Sequence, residues 1–148
     1  MDEFRLYVLD RITTATARVT STMIGRTFRP TDHRLLPDLW RTAVLSIPGA
    51  RPMTIALSSD REGCATLAAE MLKCEAGDLD LAMVDDFMRE LVNMIAGQIK
   101  SDLLLDQALG LPRVIAGELL DHTAAWTHRV LRSEKIRIVV SIATIAKG

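Results

Sequence analysis

The sequence predicts an α+β domain in which two long helices pack on a largely antiparallel sheet of about six strands, with a third, shorter helix. Two observations carry that prediction. Two stretches of about 20 residues repeat apolar side chains at three- and four-residue steps, the period of a helix with one buried stripe. Several short segments instead alternate or run apolar between turn residues, the pattern of strands.

The first helix is read from Phe4, Val8, Ile12, Ala15, Val19 and Met23, and Gly25 stops it. The stretch "RTFRPTDHRLLPDLW" (26–40) holds two prolines and mixed charge, so it is a connection with room for one short edge strand. "RTAVLSIPGARPMTIALS" (41–58) reads as a hairpin turning at Pro48-Gly49. Ser59 or Asp60 can cap the next helix, "REGCATLAAEMLK", whose apolar positions are Leu67, Ala68, Met71 and Leu72. Gly77 breaks the chain, and Asp78 or Asp80 can cap a long helix running to about Leu109, with Gly110 as its stop. Pro112 forces Leu111 toward extended geometry. "AAWTHRVLR" and "EKIRIVVSIATI" close the chain as two strands, with Ile136, Ile138, Val140 and Ile142 on one face. The order of elements in the second half faintly echoes the first, which suggests architectural pseudo-symmetry without a residue-level repeat.

Bulk properties narrow the function. At 148 residues the chain is read as one domain, 1–148. About half the residues (49%) are apolar, enough for a core, and the net charge of −1 gives no general attraction to nucleic acid or anionic membrane. No apolar run approaches the roughly 20 residues that span a bilayer. The opening "MDEFRLYVLDR" is not a secretory signal, and the two cysteines, Cys64 and Cys74, read as reduced thiols, so a cytoplasmic location is expected. His33, His122 and His128 are scattered without ligand spacing, and no metal site is expected.

The informative segment is "DDFMRELVNMIAGQIK" (85–100). With Glu90 as origin and roughly 100° per residue, Val84, Phe87, Met88, Leu91, Val92, Ile95 and Ile99 fill an arc from roughly 60° to 200°. Asp86, Glu90, Asn93 and Gly97 stack opposite it over about three turns. A solvated face has no use for asparagine and glycine, which are poorer helix formers than alanine, glycine by about 1 kcal/mol. A face that another molecule must approach closely does. An amide can hold a water by both a donor and an acceptor, and a carboxylate can engage a cation. That is enough to orient water for attack on a phosphoryl group, where positioning and electrostatics carry most of the catalysis. Met94, on the edge of the stripe, is suited to padding an interface.

The spacing Asp86-xxx-Glu90-xx-Asn93, followed by "NMIAGQIK", resembles the CheX branch of the CheC/CheX/FliY chemotaxis phosphatases. "MTIALSSDREGCATLAAEML", "LGLPRVIAG" and "TSTMIG" are similar to the segments around that signature, so the resemblance spans most of the chain. It implies a CheC/CheX-like fold and hydrolysis of the aspartyl-phosphate of a CheY-like response regulator, in chemotaxis or two-component signalling. It implies that Asn93 positions the attacking water and Glu90 binds the regulator's active-site lysine. Asp86, Gly97 and Met94 would contact the partner, and Mg²⁺ would belong to the regulator rather than to this chain. No acid-xxx-Glu-xx-Asn pattern lies between Met1 and Gly25, so one site per chain is expected. Gln98 and Ile99 depart from the family pattern, which bears on partner choice. A homodimer is expected, both from the resemblance and because "EKIRIVVSIATI", if it lay on a sheet edge, would invite pairing. The alternatives are a non-catalytic module of the same fold that binds a regulator, and a purely structural dimer domain.

Overall fold

The computed structural model describes residues 3–32, 38–49, 51–105, 108–117 and 125–144. The chain runs α1 (Glu3–Ile24), β1 (Arg29–Thr31), β2 (Arg41–Ile47), β3 (Met53–Ser59), α2 (Arg61–Leu72), a 3₁₀ turn (Ala76–Asp78), α3 (Leu81–Asp102), β4 (Arg113–Ala116), β5 (Ala125–Ser133) and β6 (Ile136–Thr144). The six strands form one sheet in the order β1-β5-β6-β3-β2-β4, and every neighbouring pair is antiparallel.

That order has a hidden regularity. Exchanging β1 with β4, β2 with β5 and β3 with β6 reverses the list and leaves it otherwise unchanged. Each half is therefore one long helix followed by three strands, and the halves meet where β3 pairs with β6. The echo in the sequence is a real pseudo-two-fold arrangement.

α1 and α3 pack against each other on one face of the sheet, as expected. The core lies between them and the strands. Leu45 and Ile47 of β2, Ile55 and Leu57 of β3, and Ile138, Val140 and Ile142 of β6 meet Ile12 of α1 and Leu91, Ile95 and Ile99 of α3. Each such aliphatic side chain contributes about 1.5–3 kcal/mol by leaving water. The alternate residues of the central strands, Ala56, Ser58, Val139, Ser141 and Ala143, are buried too, and most are small.

The caps settle where the helices begin. Asp60 starts α2 by accepting a hydrogen bond from the Gly63 amide at 2.7 Å, and Asp80 starts α3 by accepting one from the Met83 amide at 2.8 Å. The short edge strand foreseen in the first connection is β1.

Three expectations need correction. α3 stops at Asp102 rather than Leu109. Leu104 takes the left-handed conformation at φ 54°, and the Leu105 and Leu104 amides fold back onto the carbonyls of Lys100 and Ser101. This is a Schellman closure made without glycine. Second, β6 is not at an edge; it lies between β5 and β3, and the edges are β1 and β4. The exposed-edge reason for dimerisation therefore does not hold for that strand. Third, Leu72 is 46% exposed, and Cys64 and Ala69 join Leu67 and Ala68 as the buried side chains of α2. His33, His122 and Ile145 lie outside the described residues. Among the described residues, no helix is long and apolar enough to cross a membrane.

Candidate functional site

α3 is placed by its apolar side. Val84, Phe87, Met88, Leu91, Val92, Ile95, Ala96 and Ile99 are all buried, matching the arc computed from the sequence. Its first turns are also pinned laterally. Arg41 of β2 donates to Asp85 at 3.2 Å and stacks over the Trp40 ring at 4.3 Å, with Arg61 near the same ring at 5.4 Å. With the inner face fixed, the stripe of Asp86, Glu90, Asn93 and Gly97 points outward, and all four are exposed.

Gly97 answers to nothing among the described residues. A methyl group built there meets no atom within 4 Å. Internal packing therefore does not call for this glycine, whose cost in a helix is about 1 kcal/mol relative to alanine. Gly110 is the opposite case. Its amide donates to the Ser46 carbonyl at 2.8 Å, and a side chain there would come within 2.7 Å of that same oxygen. Only glycine lets the chain after α3 lie so close to β2.

That close approach shapes the site. Leu109–Pro112 run back beside the outward ridge of α3, and an open groove lies between them. Asp86, Arg89, Glu90 and Asn93 form its helical wall. Arg89 Nη1 donates to Asp86 Oδ1 at 2.6 Å across one turn. On the other side of Glu90 is a narrow apolar slot lined by Met23 and Ile24 of α1, Met71 of α2, and Phe87 and Met94 of α3. The ion pair of Arg26 with Glu70 clips the end of α1 to α2 just beyond that slot, and the hydrogen bond to Glu70 raises the Arg26 pKa above its ordinary value.

The structure thus brings Asp86, Glu90, Asn93 and Gly97 onto one ridge, and Met94 beside it. The segments "TSTMIG" and "LGLPRVIAG", distant in sequence, border the ridge on its two sides. Sequence reasoning missed Arg89, Met23 and Met71. Arg89 could have been found, because it precedes Glu90 and falls on the polar side of the same helix. The two methionines come from other helices, and only tertiary packing reveals them.

The chemistry available is limited and specific. Glu90 and Asn93 offer a carboxylate and an amide to an incoming molecule. A thiol nucleophile is not part of the site. Cys64 is fully buried, its Sγ faces the Ser59 carbonyl at 3.6 Å, and burial pushes its pKa up to about 12.

Comparison with known proteins agrees with this architecture. The family model for chemotaxis phosphatase CheX matches residues 41–134, well over half of the chain. No curated protein sequence matches it significantly. Among solved structures, the chain is similar to chemotaxis protein CheX from Vibrio vulnificus, with a TM-score of 0.78 at 16% identity over 92% of this chain and 95% of that one. A chemotaxis protein CheX from Desulfovibrio desulfuricans gives a TM-score of 0.75 at 21% identity, covering 93% of this chain and 99% of the other. The CheX of a CheX–CheY–BeF₃–Mg²⁺ complex from Borrelia burgdorferi gives 0.75 at 18% identity, covering 93% and 97%. With the family model spanning both the site helix and the groove, the chain belongs to the CheX family of chemotaxis phosphatases.

Proposed function

We propose that this protein hydrolyses the aspartyl-phosphate of a CheY-like response regulator. One observation carries the reading. An exposed carboxylate and amide share a helical ridge, and that ridge ends in a glycine whose missing side chain no packing among the described residues explains. A site built this way is completed by a docking partner.

In this reading the regulator docks against the ridge. Asn93 holds a water by its amide and directs it at phosphorus. Glu90 pairs with the regulator's active-site lysine and fixes the approach. The water oxygen forms the new bond to phosphorus, the bond from phosphorus to the aspartyl oxygen breaks, and the electron pair returns to the aspartate carboxylate. The protons of the water leave with phosphate. Mg²⁺ belongs to the regulator and neutralises phosphoryl charge there. The fold neighbour from Borrelia burgdorferi, solved with CheY, supports the choice of partner class. Asp86, Met94 and Gly97 would make docking contacts around this centre. A homodimer is part of the reading; pairing through the sheet would have to use β1 or β4, and light scattering should give about twice the 16.4 kDa chain mass.

The test is phosphate release from phosphorylated CheY-like regulators with and without this protein. Asn93→Ala should slow turnover roughly 10- to 1000-fold, the effect of removing one positioned polar group from a transition state, while docking survives. Glu90→Ala should weaken docking as well as rate. Calorimetry should find no tight, stoichiometric Mg²⁺ binding to the isolated chain. If Asn93→Ala hydrolyses at the wild-type rate, the catalytic role given to Asn93 is wrong; if the wild-type chain binds the regulator without speeding phosphate release, it is a binding module of this fold.

A further inference from the structure

The groove poses an electrostatic problem for the function just proposed. Its helical wall carries two carboxylates, Asp86 and Glu90, and one cation, Arg89. A phosphoryl group brings nearly two negative charges to that wall. Glu90 is compensated if it pairs with a lysine of the partner. Among the described residues, the ion-pair partner of Asp86 is Arg89, at 2.6 Å.

That ion pair is easily exchanged. The Asp86 side chain is 77% exposed and Arg89 43%, and an exposed pair one turn apart contributes little. A phosphoryl oxygen is a stronger acceptor for a guanidinium, because the planar fork can make two parallel charge-assisted bonds. Position favours the exchange. Arg89 and Asn93 are four residues apart, so their Cβ atoms lie about 5–6 Å apart on one side of the helix. Asn93 sits between Arg89 and Glu90 around the helix circumference, which leaves the water it would hold flanked by a cation on one side and a carboxylate on the other.

We propose that Arg89 is a third catalytic residue, which leaves Asp86 when the phosphorylated regulator docks and donates to an oxygen of the transferring phosphoryl group. The proposal rests on the phosphatase reading of the same ridge. Asp86 then holds Arg89 in place while the groove is empty. The bonds made and broken are those of the hydrolysis above. Arg89 adds only hydrogen bonds to the phosphoryl oxygens, on which negative charge is concentrated in the transition state.

The experiment compares single-turnover and steady-state hydrolysis by wild type, Arg89→Ala, Arg89→Lys, Asp86→Ala and the Arg89→Ala/Asp86→Ala double variant. Thermal melts accompany each. A group touching the phosphoryl should matter to kcat. Arg89→Ala is expected to lower kcat roughly 10- to 100-fold, at or below the low end for preorganised transition-state donors because Arg89 is half exposed, with an unchanged melt. Arg89→Lys should recover part of the loss by keeping the charge without the fork. Asp86→Ala should lower kcat at least about tenfold less than Arg89→Ala does. Equal losses from Arg89→Ala and Asp86→Ala, with the double variant no worse, would mean that the ion pair only supports the helix, and the proposal fails. It fails also if Arg89→Ala keeps the wild-type kcat while Asn93→Ala is slow, a result that leaves the phosphatase reading standing. Absence of turnover by the wild-type protein overturns both.

Discussion

α1 and α3 are both 22 residues long and occupy equivalent places in the two halves of the molecule. Their buried faces are in register. Val8, Ile12, Ala15, Thr16, Val19 and Thr20 fall where α3 has Val84, Met88, Leu91, Val92, Ile95 and Ala96. In that correspondence the outward ridge Asp86, Glu90, Asn93, Gly97 lies opposite Asp10, Thr14, Ala17, Ser21. The acid survives on α1, but the glutamate, the amide and the glycine do not. Asp10 is committed to the sheet, accepting from Arg129 Nη1 at 2.7 Å. The fold presents two equivalent ridges and only one carries a glutamate and an amide, so Glu90 and Asn93 are not demanded by the architecture. This absence of an architectural demand is what the proposed docking role rests on.

The comparison divides each helix into a face that holds the fold and a face that does not, and the division can be attacked at its strongest point first. Ile95→Ala on the inner face of α3 removes a side chain that is 1% exposed, and should cost about 2–5 kcal/mol in denaturant unfolding. Asn93→Ala, two residues earlier on the outer face, should change stability by less than about 0.5 kcal/mol. Val19→Ala, the counterpart of Ile95 on α1, should cost less, because valine is smaller and Val19 is 9% exposed. If Asn93→Ala destabilises as much as Ile95→Ala, the outer ridge is structural and the functional argument collapses.

Gly97→Ala is the next test and should separate stability from function. The new methyl meets nothing among the described residues, so the helix should gain about 0.5–1 kcal/mol. Regulator docking should weaken, seen as a higher KM for the phosphorylated regulator, because the methyl stands where the partner approaches. Ser21→Ala at the equivalent place on α1 should leave docking as it is. A stabilised Gly97→Ala with unaltered KM would show that the partner does not come that close.

Much of this division was legible in the sequence because it follows from a single helical period. Every residue of the inner arc of α3 computed from apolar spacing is buried, with Ala96 added, and all four ridge residues are exposed. The end of α3 was not legible. The reading waited for Gly110, whereas Leu104 adopts the left-handed turn itself and lets leucines at 103 and 105 pack against the core. The local cost of a left-handed leucine is outweighed by tertiary burial, which no local pattern encodes. Strand order was equally hidden. The sequence leaves the place of β6 in the sheet open, and its length and apolar character turn out to suit a strand buried on both faces at the centre of the sheet. The site was half legible. Glu90 and Asn93 came from spacing within one helix, but the groove wall at Leu109–Pro112 depends on Gly110 meeting Ser46 of a distant strand.

The smallest effect probes a place where the inner faces differ in kind. α1 buries Thr16 and Thr20 where α3 has Val92 and Ala96. Both hydroxyls turn back on their own helix. Thr16 Oγ1 donates to the Ile12 carbonyl at 2.7 Å, and Thr20 Oγ1 to the Thr16 carbonyl at 2.8 Å. Among the described residues, neither hydroxyl bonds across to another element. Thr16→Val therefore removes a donor without orphaning its acceptor, since the Ile12 carbonyl still faces the backbone amide one turn on. The replacement keeps the branched shape and trades a hydroxyl for a methyl in a site with no solvent exposure. Losing a bond in this way is nearly neutral when nothing is left unsatisfied, and burial of the methyl offsets it. The expected change is a gain of roughly 0–0.5 kcal/mol, read as a slightly higher melting temperature, with regulator dephosphorylation unaltered. A loss of more than about 1 kcal/mol would show that the threonine bends or seats α1 in a way that valine cannot reproduce, and that the two inner faces are not interchangeable after all.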